Sequence, residues 1–265
     1  MARRNARKER QAILDPDSLL GLLPFIAVGF AAQLIDGALG MAYGTINTAF
    51  LIGALGLPPA AASASVHAAE TFTTAASGLS HAYHRNIDWK LFPRLLIPGV
   101  VGGVLGAYVL SSMNARVAQP FVMAYLVAIG LYLLYRAWHG PGEPAVPRVV
   151  EPLGFAGGFL DAAGGGGWGA IVTSNLLVQG AQPRKTVGTV SATEFFLTAT
   201  VSATFIATLG WQAFTFATVG LLIGGVAAAP FGAMLVKRVP ARQLMAFVGI
   251  LLVATSAASI WNALS

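Results

Sequence analysis

Cysteine is absent from the 265 residues, and charged side chains are scarce, at 10% of the chain. The first absence excludes disulfides, thiolate-ligated zinc and thiolate-ligated haem, and leaves the redox compartment open. The second falls far below the roughly 25% of ordinary soluble domains. Apolar residues fill the space, at 56%. The runs 59–83, 91–112, 117–135, 186–209, 213–236 and 243–264 each offer the roughly 20 residues that a bilayer-crossing helix needs. The chain reads as an all-α, polytopic transmembrane protein.

A net charge of +6 raises nucleic acid as a partner, but the basic residues sit at the N-terminus and in short loops. There they set topology and meet anionic lipid headgroups, so no nucleic-acid partner is expected. The opening MARRNARKERQAILDPDSLLGLLPFIAVGFAAQ imitates a signal peptide, basic and then apolar. The internal repeat places residues beyond Ser18 in the fold, which argues against cleavage.

That repeat aligns GFAAQLIDGALGMAYG (29–44) with GFAGGFLDAAGGGGWG (154–169). Asp36 falls on Asp161, Gly40 on Gly165, Tyr43 on Trp168 and Gly44 on Gly169. At the same offset Pro58 meets Pro183, and after a one-residue slip Glu70 meets Glu194. The organisation expected is a basic tail (1–18), a first transmembrane repeat (19–139), a proline-rich linker (140–150) and a second repeat (151–265). Each repeat has a glycine-broken re-entrant or hairpin region followed by three spanning helices. Matching interruptions in two halves point to a secondary transporter's binding site.

Loop charges allow Arg85–Arg94, Arg136–Arg148, Arg184–Lys185 and Lys237–Arg242 all to be cytoplasmic if 151–180 is a hairpin entering and leaving on one side. The same hairpin at 19–57 puts the N-terminus outside, against the preference of Arg3, Arg4, Arg7, Lys8 and Arg10. Inverted halves are the reading this balance favours.

Glu70 and Glu194 stand mid-helix in apolar spans, where acids are functional by default. Burial disfavours their charge and lets such groups take up and release protons; a structural hydrogen bond is the plainer alternative. His67 shares a helix face with Glu70, so the two can relay a proton, or His67 is a satisfied neutral histidine. Asp36 and Asp161 precede the glycine runs and either face a cation or proton path or cap the following half-helix. Gly164, Gly165, Gly166 and Gly167 lose the helix altogether; exposed amides at a half-helix start then make an anion site without a buried lysine. Thr45, Asn47, Thr173, Ser174 and Asn175 add neutral donors. Gly102-x-x-x-Gly106 looks like a small-residue interface, and such stripes allow a homodimer.

Together IDGALGMAYG, SASVHAAETF, SGLSHAYHRNIDWKLFPRLLIPGVVGG, LDAAGGGGWG and SATEFF resemble the TauE/SafE family of membrane permeases, from about residue 20 to 262. The resemblance implies export of sulfite or a related organosulfur anion across the cytoplasmic (inner) membrane by two homologous halves. It maps the family's glycine-rich turn to Gly37, Gly40 and Gly44, and to Gly164–Gly167 and Gly169. Ala38, Leu39 and Met41 stand where the family commonly has more glycine.

The expected function is proton-coupled transport of a small anion. Substrate binding falls to the glycines and neutral donors named above, and coupling to Glu70, Glu194, His67, Asp36 and Asp161. No cofactor or metal is expected. One rival is a cation transporter or channel using the same acids as ligands. A second is a scaffold or intramembrane enzyme; the chain shows no Ser–His–Asp or paired-aspartate arrangement, and these acids are excessive for a scaffold.

Overall fold

The computed structural model describes residues 19–139, 145–214, 216–235 and 240–264. The basic tail 1–18, residues 140–144 of the linker, and Lys237 and Arg238 lie outside the described residues. Ten α-helices and no strand appear among those described. They are α1 (Leu19–Leu39), α2 (Tyr43–Thr48), α3 (Pro59–Tyr83), α4 (Leu91–Ser112) and α5 (Ala115–His139), then α6 (Glu151–Gly164), α7 (Ser174–Val178), α8 (Pro183–Leu209), α9 (Phe216–Leu235) and α10 (Ala241–Leu264). A π-helical turn, Ala49–Ala54, extends α2, and another, Gly169–Thr173, leads into α7. Pro59 and Pro183 open α3 and α8, where a missing N–H costs nothing.

Among the described residues, five segments are long and apolar enough to cross a bilayer: Leu20–Leu39, α4, α5, α8 and Arg242–Trp261. One expected span differs in its composition. Run 59–83 forms the long helix α3, but Ser63, Ser65, His67, Glu70, Thr73 and Thr74 dilute its hydropathy, and all six are buried against protein. Run 213–236 forms α9, 20 residues from Phe216 to Leu235, in which the described apolar stretch is Phe216–Ala229.

Packing runs largely between the two ends of the chain: α1 lies on α9, α6 on α4, α3 on α8 and α5 on α10. The α5–α10 crossing is glycine on glycine; a Cβ on Gly130 would stand 2.8 Å from the Gly249 carbonyl oxygen, and one on Gly249 2.7 Å from that of Gly130. Gly102 and Gly106 face Phe155 and Phe159 of α6, so that stripe joins helices within the chain.

The loops before α4, α6 and α8 gather at one end. Lys185 Nζ donates to the carbonyls of Arg85 (2.8 Å) and Ile87 (3.1 Å), Ala145 N–H to Gly180 (2.9 Å), and Arg94 pairs with Glu151 at 2.6 Å. Residues 151–180 do form a hairpin that enters and leaves on that side. Gln179 Oε1 accepts the amides of Arg148 (3.0 Å) and Val149 (2.9 Å) across its mouth. α8, with 27 residues, carries the chain roughly 40 Å to the other end, where α9 begins. α1 runs parallel to α9, with Gly220 facing Leu22 and Phe25, and Gly224 facing Ile26 and Phe30. Leu19 therefore starts at the end away from the basic loops, against the side preferred by the basic tail's charge.

Candidate functional site

Two interrupted helices build the centre of the molecule, and an aspartate organises each. α1 ends where Gly40, at φ +66°, donates its amide to the Asp36 carbonyl at 2.6 Å. The next helix restarts at Tyr43, whose N–H donates to Asp36 Oδ1 at 3.3 Å. α6 ends the same way: Gly165, at φ +77°, and Gly166 both donate to the Asp161 carbonyl. Trp168 N–H then donates to Asp161 Oδ1 at 2.8 Å. Each aspartate thus closes one half-helix with its carbonyl and caps the next with its carboxyl. The restart side chains are anchored as well, Tyr43 OH on the Leu221 carbonyl (3.0 Å) and Trp168 Nε1 on that of Val190 (3.3 Å).

The two breaks cross each other inside the protein. A Cβ on Gly44 would lie 2.7 Å from Gly166 Cα, and one on Gly169 2.6 Å from the Gly40 carbonyl oxygen. Thr48 donates its hydroxyl to the Gly165 carbonyl, and Tyr125 OH donates to that of Gly166 at 3.0 Å. The same tyrosine ring fills the space beside Gly164, and its hydroxyl the space beside Gly167.

The acids converge on this crossing. Glu70 is buried and accepts the Gly44 amide, while its Oε2 has no hydrogen-bond partner among the described residues. Asp36, Asp161 and Glu194 lie within electrostatic reach of it. His67 is fully buried and reaches across to Asp161 Oδ2 at 2.9 Å; its partner is this aspartate rather than Glu70 on its own face. Among the described residues, no three His, Asp or Glu side chains form a metal-holding group.

The other residues singled out in the sequence fall into three sets. The amides of Gly40, Gly44, Gly165 and Gly166, expected as anion donors, are engaged by Asp36, Glu70 and Asp161. The side chains of Asn47 and Thr173, both fully buried in the broken segments, have no hydrogen-bond partner among the described residues. Thr45 donates to the Ala42 carbonyl (3.2 Å), Ser174 contacts Met41 Sδ (3.7 Å), and Gly37 is exposed. Asn175 stands apart: its Nδ2 donates to the Ile171 carbonyl at 2.7 Å, and it lines a cleft with Arg148 and Gln179 at the basic end. Sequence reading did not single out Tyr125, Thr48 or Ser63, because nothing local distinguishes one tyrosine in an apolar helix or a hydroxyl in a small-residue run.

The family model described as "Sulfite exporter TauE/SafE" matches residues 25–259. The chain is 41% identical over 250 residues to the "Probable membrane transporter protein YtnM" of Bacillus subtilis (strain 168), an alignment covering 91% of this chain and 83% of that protein. No solved structure matches. With that coverage, and with crossed helix breaks at its centre, the chain belongs to the TauE/SafE sulfite exporter family of membrane transporters.

Proposed function

We propose that this protein is a secondary transporter of the cytoplasmic membrane that exports a small anion, sulfite or an organosulfonate, together with protons. The anion binds at the crossing of the two breaks, and the surrounding acids couple its movement to protonation. The observation that carries this reading is the pair of donors left over in the broken segments, Asn47 Nδ2 and the Thr173 hydroxyl. A buried donor without a partner costs about 1–3 kcal/mol, and an oxyanion supplies the missing acceptor.

Coupling has an electrostatic basis. Two like unit charges 4 Å apart at an effective dielectric of about 20 repel by about 4 kcal/mol. An anion therefore enters among Asp36, Glu70, Asp161 and Glu194 only after protons have neutralised the acids nearest to it. Residues 19–139 and 151–265 act as inverted repeats. The matched aspartate caps, the pairing of α1 with α9 and α6 with α4, and the parallel run of α1 beside α9 all support this reading. The same four acids also favour a rival, a cation pathway, so the test has to separate the two.

The test is thermal stabilisation of the purified protein by sulfite, sulfate, sulfoacetate, taurine, phosphate, chloride, sodium and divalent cations, at one acidic and one slightly alkaline pH. A ligand at roughly a hundred times its Kd adds about 2.7 kcal/mol. A sulfur oxyanion that stabilises best at acidic pH supports the proposal. Stabilisation by cations alone overturns it.

A further inference from the structure

His67 has a hydrogen-bond pattern that fixes how many protons it and its partner hold. Nδ1 lies 2.8 Å from the Ser63 carbonyl oxygen, which only accepts, so Nδ1 carries a hydrogen. The Ser63 hydroxyl, 3.2 Å from Nδ1, spends its own proton on the Ala162 carbonyl at 2.9 Å. That leaves Nε2 facing Asp161 Oδ2 at 2.9 Å. One proton must sit between those two atoms. Without it an imidazole lone pair would face a carboxylate; with a second, N–H would face O–H. Asp161 Oδ1 meanwhile holds the Trp168 amide at 2.8 Å. Imidazole and carboxyl together are neutral in this arrangement, wherever the proton rests.

We propose that His67 is a positioning residue for transport: the single proton it shares with Asp161 holds the carboxyl in place as cap of the Trp168 amide, so that losing this proton releases the start of the second half-helix. The inference rests on the proton-coupled reading above and assigns it a specific atom pair. The Ser63–Ala162 bond does not depend on protonation and keeps α3 beside α6 in either state. The released element is then the Asp161 side chain with the segment Gly169–Val178, not the helix pair. The first break has a simpler arrangement. Asp36 caps Tyr43 in the same manner, but the position that answers His67 in the second repeat is Ser191. The second cap alone is therefore tied to an imidazole in this way.

Several groups face the pair and set its proton exchange. Glu70 of α3 itself, Tyr125 of α5 and Glu194 of α8 lie within electrostatic reach of Asp161, while Asp36 of α1 and Tyr43 of α2 lie one step further, within reach of Glu70. α8 also presents the Phe205 ring 6.4 Å from the imidazole, and α4 presents Gly106 against Ala162. No lysine or arginine is among these groups.

The test has two arms. In the first, sulfite flux from proteoliposomes is followed against pH for the unmodified chain, His67→Gln and Glu70→Gln. Glutamine keeps an N–H for Asp161 but has no proton to lose. His67→Gln is expected to fold and transport, with its flux changing about tenfold less per pH unit than that of the unmodified chain, the loss of one coupled proton among several. If its profile overlays that of the unmodified chain while Glu70→Gln flattens, proton coupling stands and the role of His67 is overturned. If the unmodified chain shows no pH response, the coupled reading itself fails. The second arm needs no cargo. The chain has four histidines, and replacing His81, His84 and His139 by Gln leaves His67 as the one imidazole for ¹⁵N NMR. Nδ1 protonated throughout, with Nε2 exchanging its proton and the Trp168 amide resonance shifting in step, supports the proposal. An unprotonated Nδ1, or a Trp168 amide that ignores the change, overturns it.

Discussion

Gly44 and Gly166 meet backbone to backbone, so that even a methyl group on Gly44 would stand 2.7 Å from Gly166 Cα. No side chain here can swing aside to make room. Gly44→Ala is therefore expected to destabilise by about 1–3 kcal/mol through overpacking. Gly166→Ala adds strain of about the same size, because Gly166 sits at φ +130°. Gly37→Ala is the control: exposed and helical, it should gain about 0.5–1 kcal/mol. Thermal melting of the three purified variants checks the order, and equal melting points would contradict a close crossing.

Asn47→Leu should separate stability from function. The side chain is fully buried with neither end of its amide bonded among the described residues, so an apolar residue of similar volume removes a standing penalty. The variant is expected to be as stable as the unmodified chain, or more so by about 1–3 kcal/mol. It should also lose the stabilisation given by sulfite. Thr173→Val should do the same on a smaller scale. Melting curves with and without sulfite decide the matter; retained sulfite stabilisation in both variants would remove these residues from the site.

Glu70→Gln and Glu194→Gln are predicted to flatten the pH dependence of flux while leaving the protein folded. Neutral glutamine mimics the protonated acid, so sulfite stabilisation of Glu70→Gln should persist at slightly alkaline pH, where the unmodified chain loses it. The measurement is ligand-induced stabilisation at two pH values. A response as steep as that of the unmodified chain in both variants would sink the coupling role of these residues.

Tyr125→Phe removes one hydrogen bond, that from the hydroxyl to the Gly166 carbonyl, and keeps the ring beside Gly164. The expected loss is about 1 kcal/mol. Tyr125→Ala also empties the space occupied by the ring and should cost about 3–5 kcal/mol, as large-to-small core changes do. Denaturation of both variants gives the ratio; similar costs would mean that the ring does not support the glycine run.

The two helix breaks and the acids of the candidate site were legible in the chain because their signals are local. A glycine run after Asp161, a matching break after Asp36, and acids in apolar helices at corresponding positions all declare themselves within a few residues. Two kinds of information were not local. Which amides remained free depended on the carbonyls and carboxyls that had already taken them. Gly40, Gly165 and Gly166 therefore looked like anion donors but close helix ends. The partner of His67 depended on how α3 packs against α6, so sequence spacing suggested Glu70 where the fold supplies Asp161. The polar face of α3 had the opposite effect, lowering the hydropathy of a helix whose serines and threonines turn inward.

The pairing of α1 with α9 also has a consequence for synthesis. Of the described helices, α1 leaves the ribosome first, yet its principal neighbour is made almost last. Until Phe216 and the residues after it emerge, the face of Gly29 that will meet Leu221 has only lipid against it. Nascent chains of this protein must therefore be held in the bilayer with an unfinished seam, and a premature stop leaves an exposed, unpaired helix for the cell's proteases to find.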